Sequence, residues 1–208
     1  MPYSLRPMEV ADVHQVAAIE REAFPTLWPA TSYGRELKNK QAEYTVCVRD
    51  GEFVASQADA PRKGLLGLFG RGKRKEPPEY VHRPLIAGFV GIWFMAGEAH
   101  IVSIAVRGEY RRQGLGELLL IGAVEMAMRR EQQVVTLEAR VSNDPAKRLY
   151  AKYGFQEMGI RRRYYSDNNE DAAIMSTAPL KSAEYQALFD SLRAQFEDRY
   201  GEATREYL

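Results

Sequence analysis

One stretch constrains this chain more than any other. Ser103 to Gly116 reads Ser-Ile-Ala-Val-Arg-Gly-Glu-Tyr-Arg-Arg-Gln-Gly-Leu-Gly. Ile104, Ala105 and Val106 close a short apolar, β-prone run, which predicts a strand end. Gly108 breaks that run. From Gly114 onward the apolar residues Leu115, Leu118, Leu119 and Met126 fall at helical spacing. Strand, basic glycine-rich turn and helix come in succession, so several backbone N–H groups converge at the positive end of a helix dipole. Such a place receives a phosphate or pyrophosphate. Arg111 and Arg112 add charge, and Gly114 and Gly116 remove Cβ atoms that would keep a phosphate away. On its own, a six-residue Arg-x-x-Gly-x-Gly pattern also suits a plain glycine cap.

The segment after this helix fixes the topology. Val134 to Val141 is a second apolar strand, and strand–helix–strand implies a right-handed crossover and a parallel pair. The glycine turn then lies at the carboxyl end of its strand, where open α/β sheets bind ligands. Ahead of it, Tyr3 to Arg6 is a strand candidate. Val13 to Ala23 is a helix that Pro25 stops, and Thr31 or Ser32 can cap a short helix through Leu37. The aromatic, stiff segment Phe24 to Pro29 suits either a hydrophobic plug or one wall of a groove. Tyr44 to Val48 reads as a strand, Asp50-Gly51 as a hairpin turn and Phe53 to Ser56 as the start of the return strand. Strands over Leu85–Met95 and Ala99–Val106 meet at a turn. Pro145 starts a helix that Gly154 ends, strands Phe155–Tyr165 and Ala172–Pro179 come next, and Ser182 caps a last helix. That helix presents Tyr185, Leu188, Phe189, Leu192 and Phe196 at helical spacing.

Residues 57–84 differ from their surroundings: they are rich in glycine, proline and basic side chains, and read as a mobile insertion between hairpin strands. Gly67 to Lys73 there mimics a phosphate-binding P-loop. The next residue is Arg74, where magnesium binding needs Ser or Thr, and no buried strand precedes it. A solvated loop is favoured over a nucleic-acid docking arm. A net charge of +1 gives no general polyanion binding, and the single cysteine, Cys47, excludes an intrachain disulfide. The three histidines are far apart and match no metal motif. No apolar run reaches membrane-spanning length, so a soluble cytoplasmic protein is the expectation.

Leu137-Glu138-Ala139-Arg140-Val141-Ser142-Asn143, with Ala146, Leu149-Tyr150 and Gly154-Phe155, is more diagnostic than the glycine turn. With Gly159, Arg161, Tyr164-Tyr165, Glu170-Asp171 and Ile174-Met175 it resembles the GCN5-related N-acetyltransferase (GNAT) superfamily. Within that superfamily it is similar to the ribosomal-protein-alanine N-acetyltransferases, which acetylate protein N-termini. Phe24-Pro25 and Trp28 also resemble that branch, although its usual Phe-Pro-Trp is split here by Thr26-Leu27. The resemblance covers residues 3–56 and 85–180, but neither the basic insertion nor the last helix.

The resemblance implies a mixed, mostly antiparallel sheet with a central parallel strand pair, flanked by helices. It implies a catalytic domain over residues 1–180, and the helix that Ser182 caps makes 181–208 a helical extension outside the resemblance. It further implies acetyl-CoA as co-substrate without a metal, held by the backbone of Ile104, Ala105 and Val106, by Arg111, Arg112, Gln113, Gly114, Leu115, Gly116 and Glu117, and by Asn143. Glu138 matches the branch's general base and Tyr150 its general acid. Helical spacing alone would assign Tyr150 to a packing face, Glu138 to a solvated strand end and Asn143 to a turn. Phe24, Trp28, Tyr164 and Tyr165 are the candidate acceptor-binding residues. The expected acceptor is a protein N-terminus, such as a ribosomal protein's. An α-amine with a reference pKa of about 7.7–8.0 is easier to deprotonate than a lysine at about 10.4. Acetylation of a small amine, or CoA binding without catalysis, are the competing readings.

Overall fold

The computed structural model describes residues 1–26, 29–57 and 80–206, leaving aside the side chains of 56, 57 and 80. Trp28, the P-loop-like segment and most of the basic insertion lie outside the described residues. Eight strands form one mixed sheet in the order β6-β7-β5-β4-β3-β2-β1-β8. The strands are β1 (Tyr3–Pro7), β2 (Ala42–Gln57), β3 (Tyr80–Met95), β4 (Glu98–Val106), β5 (Val134–Arg140), β6 (Phe155–Tyr165), β7 (Glu170–Thr177) and β8 (Thr204–Arg205). The predicted parallel pair is β4/β5, at the middle of the sheet. A second parallel pair, β1/β8, closes one edge and has no forerunner in the sequence reading.

One local expectation fails. Asp50-Gly51 is not a hairpin turn, because β2 runs straight through it and remains paired with β3 on both sides. The register passes from Arg49↔Leu85 to Phe53↔Pro84, leaving residues 50–52 as a bulge. Gly51 takes φ +76°, which lets the extra residues loop out, while Asp50 N–H donates to Pro2 O just before β1 and its carboxylate accepts from Ser4 Oγ of β1. A neighbouring strand supplied the partner that a turn would otherwise have supplied. The turn at Ala96-Gly97 is as expected, with both residues at positive φ.

Helices α1 (Val13–Ala23) and α2 (Tyr33–Glu36) cover one face of the sheet, over Val46, Ile86, Phe89 and Ala105. On the other face lie α3 (Leu115–Arg129), α4 (Asp144–Lys152) and α5 (Ala183–Tyr200). In α3, Leu118, Leu119, Leu120, Ile121 and Val124 are all buried, so the helix is apolar nearly all round. Such a helix must be covered on two sides. The sheet covers one and α5 the other, through Tyr185, Phe189, Leu192 and Phe196. Leu188, predicted on that face, stays 39% exposed at its flank, against Gly154. Ser182 caps α5 by accepting from Tyr185 N–H.

Candidate active site

The β4–α3 turn has the geometry that its glycines require. Gly114 caps α3 at φ +84°, with no side chain capping the helix. The first bond inside the helix is Leu118 N–H to Gly114 O, so the N–H groups of Leu115, Gly116 and Glu117 have no carbonyl within the helix to meet. A Cβ on Gly116 would meet only Leu149 Cδ2, at 4.0 Å. Protein packing therefore leaves room there, and the space before the N–H groups is what a phosphate would use. The neighbouring side chains shape the turn. Arg111 Nε donates to Val106 O at 3.1 Å, Gln113 Oε1 accepts from Tyr3 O–H, and Gln113 Nε2 donates to Glu109 O. Arg112 sits exposed at φ +61°. The Glu117 carboxylate accepts from Lys152 at 2.5 Å and from Tyr153 O–H at 2.8 Å, tying α3 to α4. Of these residues, Glu117 thus offers backbone rather than side chain.

Beside the turn, the sheet opens. The β4/β5 ladder runs from Glu98↔Val134 to Ile101↔Leu137 and stops, although the strands continue to Val106 and Arg140. Opposite β3, the register jumps at the same level, from Gly91↔Ser103 to Ile92↔Ile101, so Val102 is a bulge. The bulge turns Ile104, Ala105 and Val106 away from β5, leaving their outward backbone groups without a strand. The Ser103 hydroxyl at this break is buried without a hydrogen-bond partner among the described residues. Such a break leaves backbone donors and acceptors open to an extended chain with amide groups. Asn143 stands nearby as the N-cap of α4, its Oδ1 accepting from Ala146 N–H.

The two proposed catalytic side chains flank this break from opposite faces of the sheet. Along β5, Val135, Leu137 and Ala139 are buried toward α3, while Thr136, Glu138 and Arg140 alternate onto the α1/α2 face. Glu138 is locked: Oε2 lies 3.0 Å from His100 Nε2, and Oε1 lies 3.0 Å from an Arg161 nitrogen. His100 is held in turn by Thr136 Oγ1, 2.9 Å from its Nδ1. The hydrogen bond from His100, with the charge of Arg161, holds the Glu138 carboxyl below the usual carboxylate range despite its burial. His100 is a functional candidate that sequence reasoning passed over.

Tyr150 lies on the other face, in the cluster with Leu137, Ala139 and Phe155. Its ring centre is 5.8 Å from that of Phe155. Burial pushes its phenol up to about 12, with a smaller push from Tyr165. Its hydroxyl has no hydrogen-bond partner among the described residues. Packing and functional readings of Tyr150 thus both describe the same side chain: the ring packs and the hydroxyl is left unengaged.

The α1/α2 face beside Glu138 is walled by two loops. Tyr164 is 47% exposed at the β6–β7 hairpin, edge-on to the half-buried Tyr165, whose ring lies 3.9 Å beneath the Arg140 guanidinium. Arg140 also grips Asp167 with two bonds and Glu170 with one. Hydrogen bonds from Ser142, with Arg140 and Asn168, hold Glu170 at about 2. Asp167, lowered mainly by Arg140, is also within hydrogen-bonding reach of Thr26 in the α1–α2 connection. That contact joins the two walls. Phe24, at the end of α1, packs half-buried against the α1/α2 core. The connection beyond it is stapled by Glu20, which accepts from Thr31 and Tyr33.

Comparison with known proteins gives the family. Residues 69–155 match the model of the acetyltransferase (GNAT) family. A Bacillus subtilis protein whose name assigns it ribosomal protein bS18-alanine N-acetyltransferase activity is 36% identical over 173 residues. That alignment covers 83% of this chain and 93% of the relative. An N-alpha-acetyltransferase of Sulfurisphaera tokodaii is 36% identical over 180 residues, covering 86% and 93%. The crystal structure of the ribosomal-protein-S18-alanine N-acetyltransferase from Escherichia coli superposes with a TM-score of 0.64 at 26% identity, covering 87% of this chain and 96% of that one.

Proposed function

Since the chain belongs to the GNAT acetyltransferase family and is an acetyl-CoA-dependent N-acetyltransferase, we propose that it acetylates protein α-amines, a ribosomal protein N-terminus being the first acceptor to test. The observation that carries this reading is the Glu138–His100 pair, set on the walled face at the level where β4 and β5 part. The names of the relatives support the same acceptor class.

Acetyl-CoA supplies a thioester that is already activated, so this chain has to bind, orient and move protons. The N–H groups at the start of α3 hold the phosphates, and the outward backbone of Ile104 to Val106 and Asn143 guide the arm. A backbone N–H at Ala105 or Val106 polarises the thioester oxygen. On the walled face, Tyr164 and Tyr165 pack beside the incoming peptide. The attacking amine gives its proton to Glu138. Arg161 keeps that carboxyl a poor place for a proton to stay. His100 accepts from the Thr136 hydroxyl at Nδ1 and donates from Nε2 to the carboxylate, which holds it toward the amine, and the proton then passes from Glu138 to solvent. From the opposite face, the Tyr150 hydroxyl protonates the departing thiolate.

A polyamine acceptor would need free carboxylates on the walled face. There, Asp167 and Glu170 are both engaged by Arg140, and Glu138 is paired with Arg161. The deciding experiment is acetyl-CoA turnover against short peptides differing in their first residue, with α-blocked lysine peptides and spermidine as controls. Turnover confined to free α-amines is expected. Preference for spermidine or for the lysine side chain would overturn the reading.

A further inference from the structure

The start of α3 has a neighbour that no motif announces. Tyr200, the last residue of α5, lays its ring against Gly114. A Cβ built on Gly114 would stand 3.0 to 3.1 Å from ring atoms Cζ, Cε1 and Cε2. Because a Cβ extends about 1.5 Å from Cα, the carbon bearing the phenolic oxygen lies within about 4.5 Å of the Gly114 Cα. The ring is backed by Phe196, 5.0 Å away between centres, and the Arg199 guanidinium lies 5.1 Å from its centre. Its hydroxyl has no hydrogen-bond partner among the described residues.

This placement is held from several directions. Arg193 and Arg205 both reach Glu125 on α3, and Arg205 also binds Glu197 on α5. Just beyond α5, β8 pairs with β1, and Tyr3 of β1 donates to Gln113 in the same turn. The end of α5 is therefore part of the wall around the α3 N-terminus. It also lies outside residues 69–155, the segment that the family model matches.

We propose that Tyr200 is a cofactor-binding residue contributed by α5: its phenolic O–H donates to a phosphate oxygen of the 3′-phospho-ADP half of acetyl-CoA, and Arg199 adds positive charge beside it. The chemistry is that of a neutral hydroxyl meeting an anion, a charge-assisted bond stronger than a neutral one. The helix N–H groups draw the phosphates to this spot, and an unengaged donor beside them is suited to a further oxygen. This inference rests on the acetyl-CoA site alone, not on the identity of the acceptor.

The test uses the full chain and no acceptor. Wild type and Tyr200→Phe are titrated calorimetrically with acetyl-CoA and with adenosine 3′-phosphate 5′-diphosphate, and acetyl-pantetheine is measured as a displacing ligand. Phe keeps the ring against Gly114 and Phe196, so the melting temperature should stay constant. The expected result is binding of acetyl-CoA and of the nucleotide weakened about tenfold, the scale of one hydrogen bond to a charged group, with acetyl-pantetheine unchanged. Unchanged nucleotide affinity in the Phe variant would overturn the proposal. So would an equal loss for acetyl-pantetheine, which would assign the ring to shaping the turn. Because no peptide enters these titrations, a wrong acceptor assignment would show only in the turnover assay.

Discussion

Tyr150→Phe removes a single oxygen from a side chain that is 7% exposed. The ring and its contact with Phe155 remain. The lost hydroxyl has no partner among the described residues, so folding stability should change by no more than about 0.5 kcal/mol. Tyr150→Ala, by contrast, would empty a site in the core and cost about 3–5 kcal/mol, the range for large aromatic truncations. The Phe variant therefore isolates the hydroxyl. If that hydroxyl protonates the thiolate, kcat should fall by about 10²–10⁴-fold, equivalent to about 3–5 kcal/mol of transition-state stabilisation. Burial supplies a second readout. A phenol raised to about 12 stays protonated well past pH 10, where an unperturbed phenol would be half ionised. The wild-type kcat should accordingly show no loss attributable to this acid up to pH 10. The assay is release of free CoA thiol at saturating peptide with acetyl-CoA varied, alongside thermal melts of both proteins. Full kcat in the Phe variant would return Tyr150 to the core as packing alone. A fall in kcat matched by a fall of several degrees in melting temperature would do the same.

The same geometry sets three further outcomes. Glu138→Gln should lower kcat about 10²–10⁴-fold with acetyl-CoA affinity intact, and His100→Gln added to it should lower kcat less than the product of the two single effects, measured by steady-state kinetics. The Glu138 carboxyl is held down chiefly by His100, so its stabilisation is complete above its ordinary 4.5 and is lost as pH falls through the lower folded value. Urea midpoints of wild type and the Gln variant should therefore differ at pH 7 and converge in acid. Gly114→Ala forces a Cβ into a left-handed backbone and toward Tyr200, so it should cost about 1–2 kcal/mol in thermal stability and weaken acetyl-CoA binding in the same preparation. Truncation after Leu180 uncovers α3 and removes four buried side chains of α5, each contributing about 1.5–3 kcal/mol; an insoluble product or a large drop in melting temperature is expected, and a soluble one of unchanged stability would contradict the packing.

Local signals in the sequence were enough for the elements that carry the proposed cofactor site. Gly114 at the helix cap, the crossover from β4 to β5 and Pro145 at the start of α4 each arise from chemistry within a few residues. Where the reading fell short, the cause lies across the sheet. Asp50-Gly51 has turn chemistry, but β1 bonds Asp50 and keeps β2 straight. His100 looks isolated in the sequence because its partners, Thr136 and Glu138, belong to the next strand, and only the register His100↔Thr136 brings them together. A signal was present: Val135, Leu137 and Ala139 alternate with Thr136, Glu138 and Arg140, which marks a polar face needing partners. Tyr200 and β8 were invisible for a similar reason, since their contacts are with Gly114 and β1, far away along the chain.

The break between β4 and β5 also has a kinetic meaning. A sheet is ordinarily a barrier, and here it becomes a partition with an opening beside the two groups proposed to handle protons, one on each side. Reactants that arrive from opposite sides need not wait for each other to leave. Acetyl transfer through such an opening should pass by way of a ternary complex, giving intersecting rather than parallel double-reciprocal plots, with no acetylated enzyme to trap. A product peptide and free CoA would likewise depart by separate exits, so each should inhibit competitively only against the reactant that shares its door.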